Sequence, residues 1–196
     1  MKTSIQEIPP LFGTLMDGGY YAGRIMIDAQ PFALIIPPKA ESEHQAVWIP
    51  NWKDVPDAKS YSDGLANTQA MAEAGSKIAK KALALGMYIP SLDELEIAYR
   101  NLKPSARPNS CYARSGINLN AIEPTPPYTP EFPSQTQAEL FRKGAQEAFE
   151  PEWYWTSTQH ASDSASAWCQ DFGIGTQNTG YKTGKFRVRF FRRLPI

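Results

Sequence analysis

The chain has 196 residues, 42% of them hydrophobic and 12% aromatic, which suits one domain with a packed interior and excludes a disordered composition. Its 20 basic and 20 acidic side chains balance, so overall charge excludes a general nucleic-acid or membrane-surface binder. The opening Met1-Lys2-Thr3-Ser4-Ile5-Gln6-Glu7 lacks the apolar run of a secretory signal, and no stretch approaches the length of a membrane span.

Synthesis in a cytoplasm is therefore expected, and Cys111 and Cys169 are expected to be free, buried thiols. Seventeen prolines, many of them between Pro31 and Pro56 and between Pro104 and Pro133, favour long, stiff, extended loops. Charge is unevenly placed. From Lys182 onward come Lys182, Lys185, Arg187, Arg189, Arg192 and Arg193 with no acid, which reads either as a basic strip or as a solvated strand face.

Residues 1–16 read as an arm or docking segment ahead of a single domain over 17–196, and the stretch 1–14 reads equally as a strand that ties down the terminus. Tyr20 to Ile27 and Phe32 to Ile36, joined through Asp28-Ala29-Gln30-Pro31, read as a hairpin, and Ala46 to Ile49 as a short strand. A helix capped by Asn67 or Thr68 is expected to run to about Leu85, with Met71, Ala74, Ile78 and Leu85 on its apolar stripe and Gly86 as its stop. Ser91-Leu92-Asp93-Glu94 is a capping box that opens a second helix, with Leu92, Leu95, Tyr99 and Leu102 buried and Pro104 ending it.

Residues 104–133 read as loop, and Ser134 as the cap of a short helix from Gln135 to Lys143. Trp153 to Gln159, Ala165 to Phe172 and Lys185 to Leu194 read as antiparallel strands, with a turn region over Gly173 to Gly184. In the last strand Phe186, Val188 and Phe190 share a face. Alternation allows only one of Tyr154 and Trp155 to face a core, and Trp168 is expected in the core as well. The order predicts an α+β fold with two main helices segregated from a small antiparallel sheet.

Several strings resemble a phage and prophage family related to the C-terminal domain of a bacterial collagen-like adhesin. They are Asp63-Gly64-Leu65-Ala66-Asn67-Thr68-Gln69-Ala70-Met71-Ala72-Glu73-Ala74-Gly75, Ile89-Pro90-Ser91-Leu92-Asp93-Glu94-Leu95-Glu96, Tyr99-Arg100-Asn101-Leu102-Lys103-Pro104, Tyr154-Trp155-Thr156-Ser157-Thr158 and the closing Arg187-Val188-Arg189-Phe190-Phe191-Arg192-Arg193. The resemblance spans about residues 17–194 and implies a C-type-lectin-like fold, the fold also of retroelement-diversified phage receptor-binding proteins and of formylglycine-generating enzymes. It implies a tail-associated virion protein that recognises a host-surface glycan or protein or a tail-fibre partner, as a homo-oligomer or attached to a trimer. A purely structural subunit of the tail tip, fibre cap or decoration is the alternative.

Chemistry-bearing residues are sparse. His44, Cys111, His160 and Cys169 are scattered in sequence, so no metal site and no cofactor is expected. The Glu-Pro-Asn and Trp-Asn-Asp strings of calcium-dependent lectins are missing, Trp168-Cys169-Gln170-Asp171 being the nearest text. A formylglycine-type enzyme would need a C-terminal cysteine pair, and only Cys169 lies there, so the protein is expected not to be an enzyme. The candidate ligand-binding residues lie in two polar connections: Gln159, His160, Asp163 and Ser164 in one, Gln177, Asn178, Tyr181 and Lys182 in the other. Amides, hydroxyls and a tyrosine suit adaptable recognition and equally suit a solvated hairpin loop.

Overall fold

A computed structural model describes residues 8–110, 118–125 and 128–196. The architecture is α+β. The elements run β1 (Leu15–Met16), β2 (Gly19–Ile27), β3 (Gln30–Ile36), α1 (Lys39–Ser42), β4 (Glu43–Val47), α2 (Gly64–Ala74), α3 (Lys77–Ala84), α4 (Leu92–Leu102), β5 (Ala121–Ile122), β6 (Trp153–Gln159), β7 (Ser166–Asp171), β8 (Gln177–Tyr181), β9 (Lys185–Arg189) and β10 (Arg192–Pro195). The hairpin of β2 and β3 forms as the alternation predicts, and both turn residues, Asp28 and Ala29, take positive φ.

The strands make two sheets rather than the single small one expected. One has the order β1-β2-β3-β10 with β5 on the same edge of β2 as β1; the other has the order β4-β9-β6-β7-β8. The expected final strand is therefore two strands in different sheets. Phe190 and Phe191, adjacent in sequence, enter two different cores and mark the crossing. The Gly173–Gly184 region, read as a turn, holds strand β8. Its Gly, Thr and Asn content hides a strand that pairs with β7 from Ser166↔Tyr181 to Gln170↔Gln177. β6 meets β9 at one parallel pair, Tyr154↔Arg187.

Both Tyr154 and Trp155 are buried, against the expectation that only one could be. The second sheet is covered on both faces here, so alternation delivers Tyr154 to a core with Leu95, Tyr99 and Phe172 and Trp155 to a core with Met71, Ile78 and Val188. Helix α4 packs on β2 and on β6 and β7, and all of its residues are buried. Its capping box forms as predicted, with Ser91 Oγ accepting from Glu94 N–H and Glu94 Oε2 accepting from Ser91 N–H. The charged residues of this buried helix are partnered, whereas Asn101 Oδ1 is not. Glu96 pairs with Arg100, and Asp93 Oδ2 accepts from Asn120 Nδ2 at 2.7 Å.

The single long helix expected before Gly86 is two helices. Asp63, not Asn67 or Thr68, caps the first through Ala66 N–H at 2.9 Å. Gly75 ends it at φ 108°, a left-handed conformation that glycine adopts without strain, and Ser76 caps the second. Asn67 is instead buried, its Oδ1 accepting from Ser60 N–H and its Nδ2 donating to Ser60 O. The helix expected over Gln135–Lys143 contracts to one 3₁₀ turn at Glu139–Phe141.

Residues 8–16 are not a free arm. β1 pairs with β2, Gly13 N–H donates to Tyr21 O at 2.7 Å, and Ile8 and Phe12 pack on a small core of Met16, Tyr21, Ala33 and Ile35. Nor do the C-terminal cations form a strip or a solvated face. Arg189 is fully buried between Glu43 (3.3 Å) and Glu147 (2.9 Å), Arg187 bridges Glu43 and Glu152, and Arg193 pairs with Asp63 at 2.8 Å. Burial pulls the Arg189 pKa down while the two carboxylates hold it up.

Candidate functional site

The two connections singled out in the sequence meet in space, but not as two loops. β6 ends at Gln159, the turn 160–165 follows, and β8 runs back beside β7, so that Lys182 N–H donates to Ala165 O at 2.9 Å. The turn is internally bonded. His160 N–H donates to Ser166 O at 3.0 Å, Asp163 N–H to His160 Nδ1 at 3.0 Å, and Ala165 N–H to Asp163 Oδ1 at 3.0 Å. Hydrogen bonds from Ser166 and Ala165 lower the Asp163 pKa, so its exposed carboxylate stays ionised. With Nδ1 accepting, the neutral His160 ring carries its proton on Nε2.

Gln159 and Lys182 correct the expectation that they bind ligand, because both are buried. Lys182 Nζ donates to Gln159 Oε1 and, at 2.9 Å, to Lys53 O, and sits 4.5 Å from the Trp48 ring centroid. Gln159 Oε1 also accepts from Val55 N–H at 2.8 Å, and its Nε2 donates to Asp54 Oδ1 at 2.6 Å. Desolvation brings the Lys182 pKa down to about 8. The pair is a clamp: it ties the end of β6 to the end of β8 and to residues 53–55, and so holds the turn between them. Gln177 is also buried, at the far end of β8, and does not join the turn.

What remains at the surface is a mixed aromatic and polar face. Register places Trp168 of β7 on the same side as Thr179 and Tyr181 of β8, together with Ser166, Gln170 and Gln177, which are buried. Tyr181 is 69% exposed, and His160, Asp163 and Ser164 stand at the same end, with Asp163 and Ser164 exposed and His160 partly so. Asn178 is exposed but falls on the opposite side of β8, with Cys169, so the structure separates it from Tyr181.

Trp168 corrects the core expectation. Ala167 and Cys169 point into the second core, so alternation turns Trp168 out, where it is partly exposed. Its ring lies 5.6 Å from His160 and 6.4 Å from Tyr61, and its buried indole N–H has no acceptor. Trp168 and Tyr61 are the site residues that the sequence reading missed. The signal for Trp168 was present in the buried Ala167 and Cys169 on either side of it.

The Cys169 thiol is buried in the core, donates to Asn178 O at 3.2 Å, and is pushed up to about 12, chiefly by desolvation, so it stays a thiol rather than a nucleophilic thiolate. Cys111 lies outside the described residues. His44 is on β4 against Phe190, away from the turn that carries His160. Among the described residues no group of three or more His, Cys, Asp or Glu is placed to hold a metal ion, and no helix is long and apolar enough to cross a membrane. No protein-family model matches the chain, and a search of curated proteins finds no match.

Proposed function

We propose that the protein is a non-enzymatic, C-type-lectin-like binding module of a phage tail, which recognises a host-surface glycan or protein, or a fibre partner, through the turn 160–165 and the Trp168–Thr179–Tyr181 face. The observation that carries this reading is the Gln159–Lys182 clamp. It fixes an exposed polar turn beside an exposed tyrosine before any ligand arrives, and preorganisation of this kind lowers the ordering cost of binding. Tyr181, Trp168 and Tyr61 supply rigid amphipathic area, while Ser164, Asp163, Thr179 and His160 supply hydrogen-bonding groups. The tail and virion setting rests on the family resemblance of the five strings alone.

A structural virion subunit is the second reading. The feature that favours it is strand β8, an edge of its sheet in the order β4-β9-β6-β7-β8, where a neighbouring chain could add a strand. Mass spectrometry of purified particles followed by cryo-electron microscopy of the tail separates the two. The recognition reading expects the protein at a distal position with Tyr181 and the turn 160–165 facing outward. Burial of that face between subunits would establish the architectural role, and absence from particles would refute both.

A further inference from the structure

We propose that a second site, remote from the recognition face, binds a small neutral apolar molecule that carries one hydrogen-bond donor. The site is a cleft of about 720 Å³ bounded by residues 10–14, the end of α4 at Arg100 and Asn101, and residues 132–140. That volume falls within the roughly 300–1,000 Å³ of small-molecule pockets. Leu11 (65% exposed) comes from the first of these segments, Phe132 (49%) and Leu140 (44%) from the two ends of the last, and all three line it. Single exposed hydrophobic residues are ordinary on a surface, whereas three converging on one opening mark a binding site.

The cleft also has a polar anchor. Asn101 is 95% buried, being 5% exposed, and lines the cleft. Its Nδ2 donates to Ala22 O at 2.7 Å, which fixes the orientation of the amide, and Oδ1 then has no partner. A buried acceptor left without a donor is costly and asks for one. The two charged residues that line the cleft both have partners, Arg100 in Glu96 and the Tyr128 ring (5.5 Å to its centroid) and the exposed Glu139 in Arg142 at 4.0 Å. The ligand class follows: an apolar body, no net charge, and one N–H or O–H to meet Asn101 Oδ1.

The walls are held apart by the fold. Gly13 N–H is bonded to Tyr21 O, Thr136 N–H to Lys103 O at 2.9 Å, and Thr136 Oγ1 donates to Asn101 O at 3.0 Å. A Cβ on Gly13 would come within 2.5 Å of Ala138 Cβ, so the two outer segments already touch at the base and cannot close further. The recognition face sits near the other end of α4, where Leu92 N–H donates to Thr158 Oγ1. At 1.5 Å per residue the two sites are roughly 12 Å apart along the helix axis.

The test is titration of the full chain with N-phenyl-1-naphthylamine, a fluorescent apolar probe with a single N–H, alongside phenyl 1-naphthyl ether, which has none. The expected result is saturable uptake of one amine per chain, with amide NMR shifts at Asn101 and over residues 134–140. The amine should bind roughly three- to tenfold tighter than the ether, the worth of one hydrogen bond. Leu140→Glu and Leu11→Glu, both at exposed positions, should weaken uptake about tenfold while circular dichroism stays unchanged. Unsaturable uptake, shifts confined to other residues, or uptake indifferent to both Glu variants would overturn the site. Equal affinity for amine and ether would overturn the role of Asn101. A self-associated chain that excludes the probe would reassign the cleft to a subunit interface.

Discussion

Glu94 offers the sharpest test of the packing at the head of α4. It is fully buried, with Oε2 accepting from Gly64 N–H (3.1 Å) and Ser91 N–H (2.7 Å) and Oε1 accepting from Tyr88 OH (2.8 Å). Desolvation outweighs these bonds and the nearby Arg193, and raises the carboxyl from its ordinary 4.5 to about 7. The unfolded chain releases this proton near 4.5, whereas the folded chain holds it to about 7. Between those values the folded state binds more protons, so this group's contribution to stability falls as pH rises through the window and is flat above it.

At about 1.4 kcal/mol per pH unit, the full interval is worth about 3 kcal/mol. Glu94→Gln mimics the protonated form and preserves a capping-box residue. Urea unfolding of both proteins at pH 4.5, 6 and 8 is the assay. Near pH 4.5 the two should be equally stable. By pH 8 the variant should exceed the wild type by about 2–3 kcal/mol. Parallel stability curves across the range would refute the reasoning, because they would mean that Glu94 ionises in the fold as readily as in water.

Three further outcomes follow from the same structure. Lys182→Met should release the turn, seen as faster hydrogen exchange at Lys182 and His160 N–H. Its stability cost should be greater at pH 9.5 than at pH 7, because a lysine lowered to about 8 makes the wild type gain stability as pH rises from there towards 10.5. Glu147→Ala leaves Arg189 buried with one carboxylate fewer and should cost about 3–5 kcal/mol in urea melts. In a Cys111→Ser background, Cys169 should not react with a disulfide reagent until the chain is denatured, since its thiol is buried and raised to about 12.

The parts of the fold legible in the sequence were those with local causes. The hairpin declared itself through alternation around Asp28-Ala29, α4 through its capping box, and β6 through a run of aromatic and β-branched residues. The parts that were not legible depend on what lies on each side of an element. Alternation reports two faces, but not that both faces of β6 meet a core, so Tyr154 and Trp155 looked exclusive. A helical stripe continued through Gly75, yet Ser76 could cap a new helix, and the stripe alone could not choose between these.

The candidate site divides in the same way. Of the polar residues singled out, His160, Asp163, Ser164 and Tyr181 stand together at one end of the sheet. Gln159 and Lys182 carry the same polar signal, but they are buried as partners of each other and of residues 53–55, more than 100 positions away. Sequence distance of that size conceals a clamp.

The most direct test of the recognition surface compares binding of the purified full chain to host cells and to a glycan array with that of three variants. Tyr181→Ala and Thr179→Lys alter the face shared with Trp168, and Asn178→Lys places the same charge on the opposite side of β8. The account expects wild-type binding, at least about a tenfold loss for the first two, as for a contact at the centre of an interface, and no loss for Asn178→Lys. Equal binding by all four proteins, or a loss only with Asn178→Lys, would contradict it.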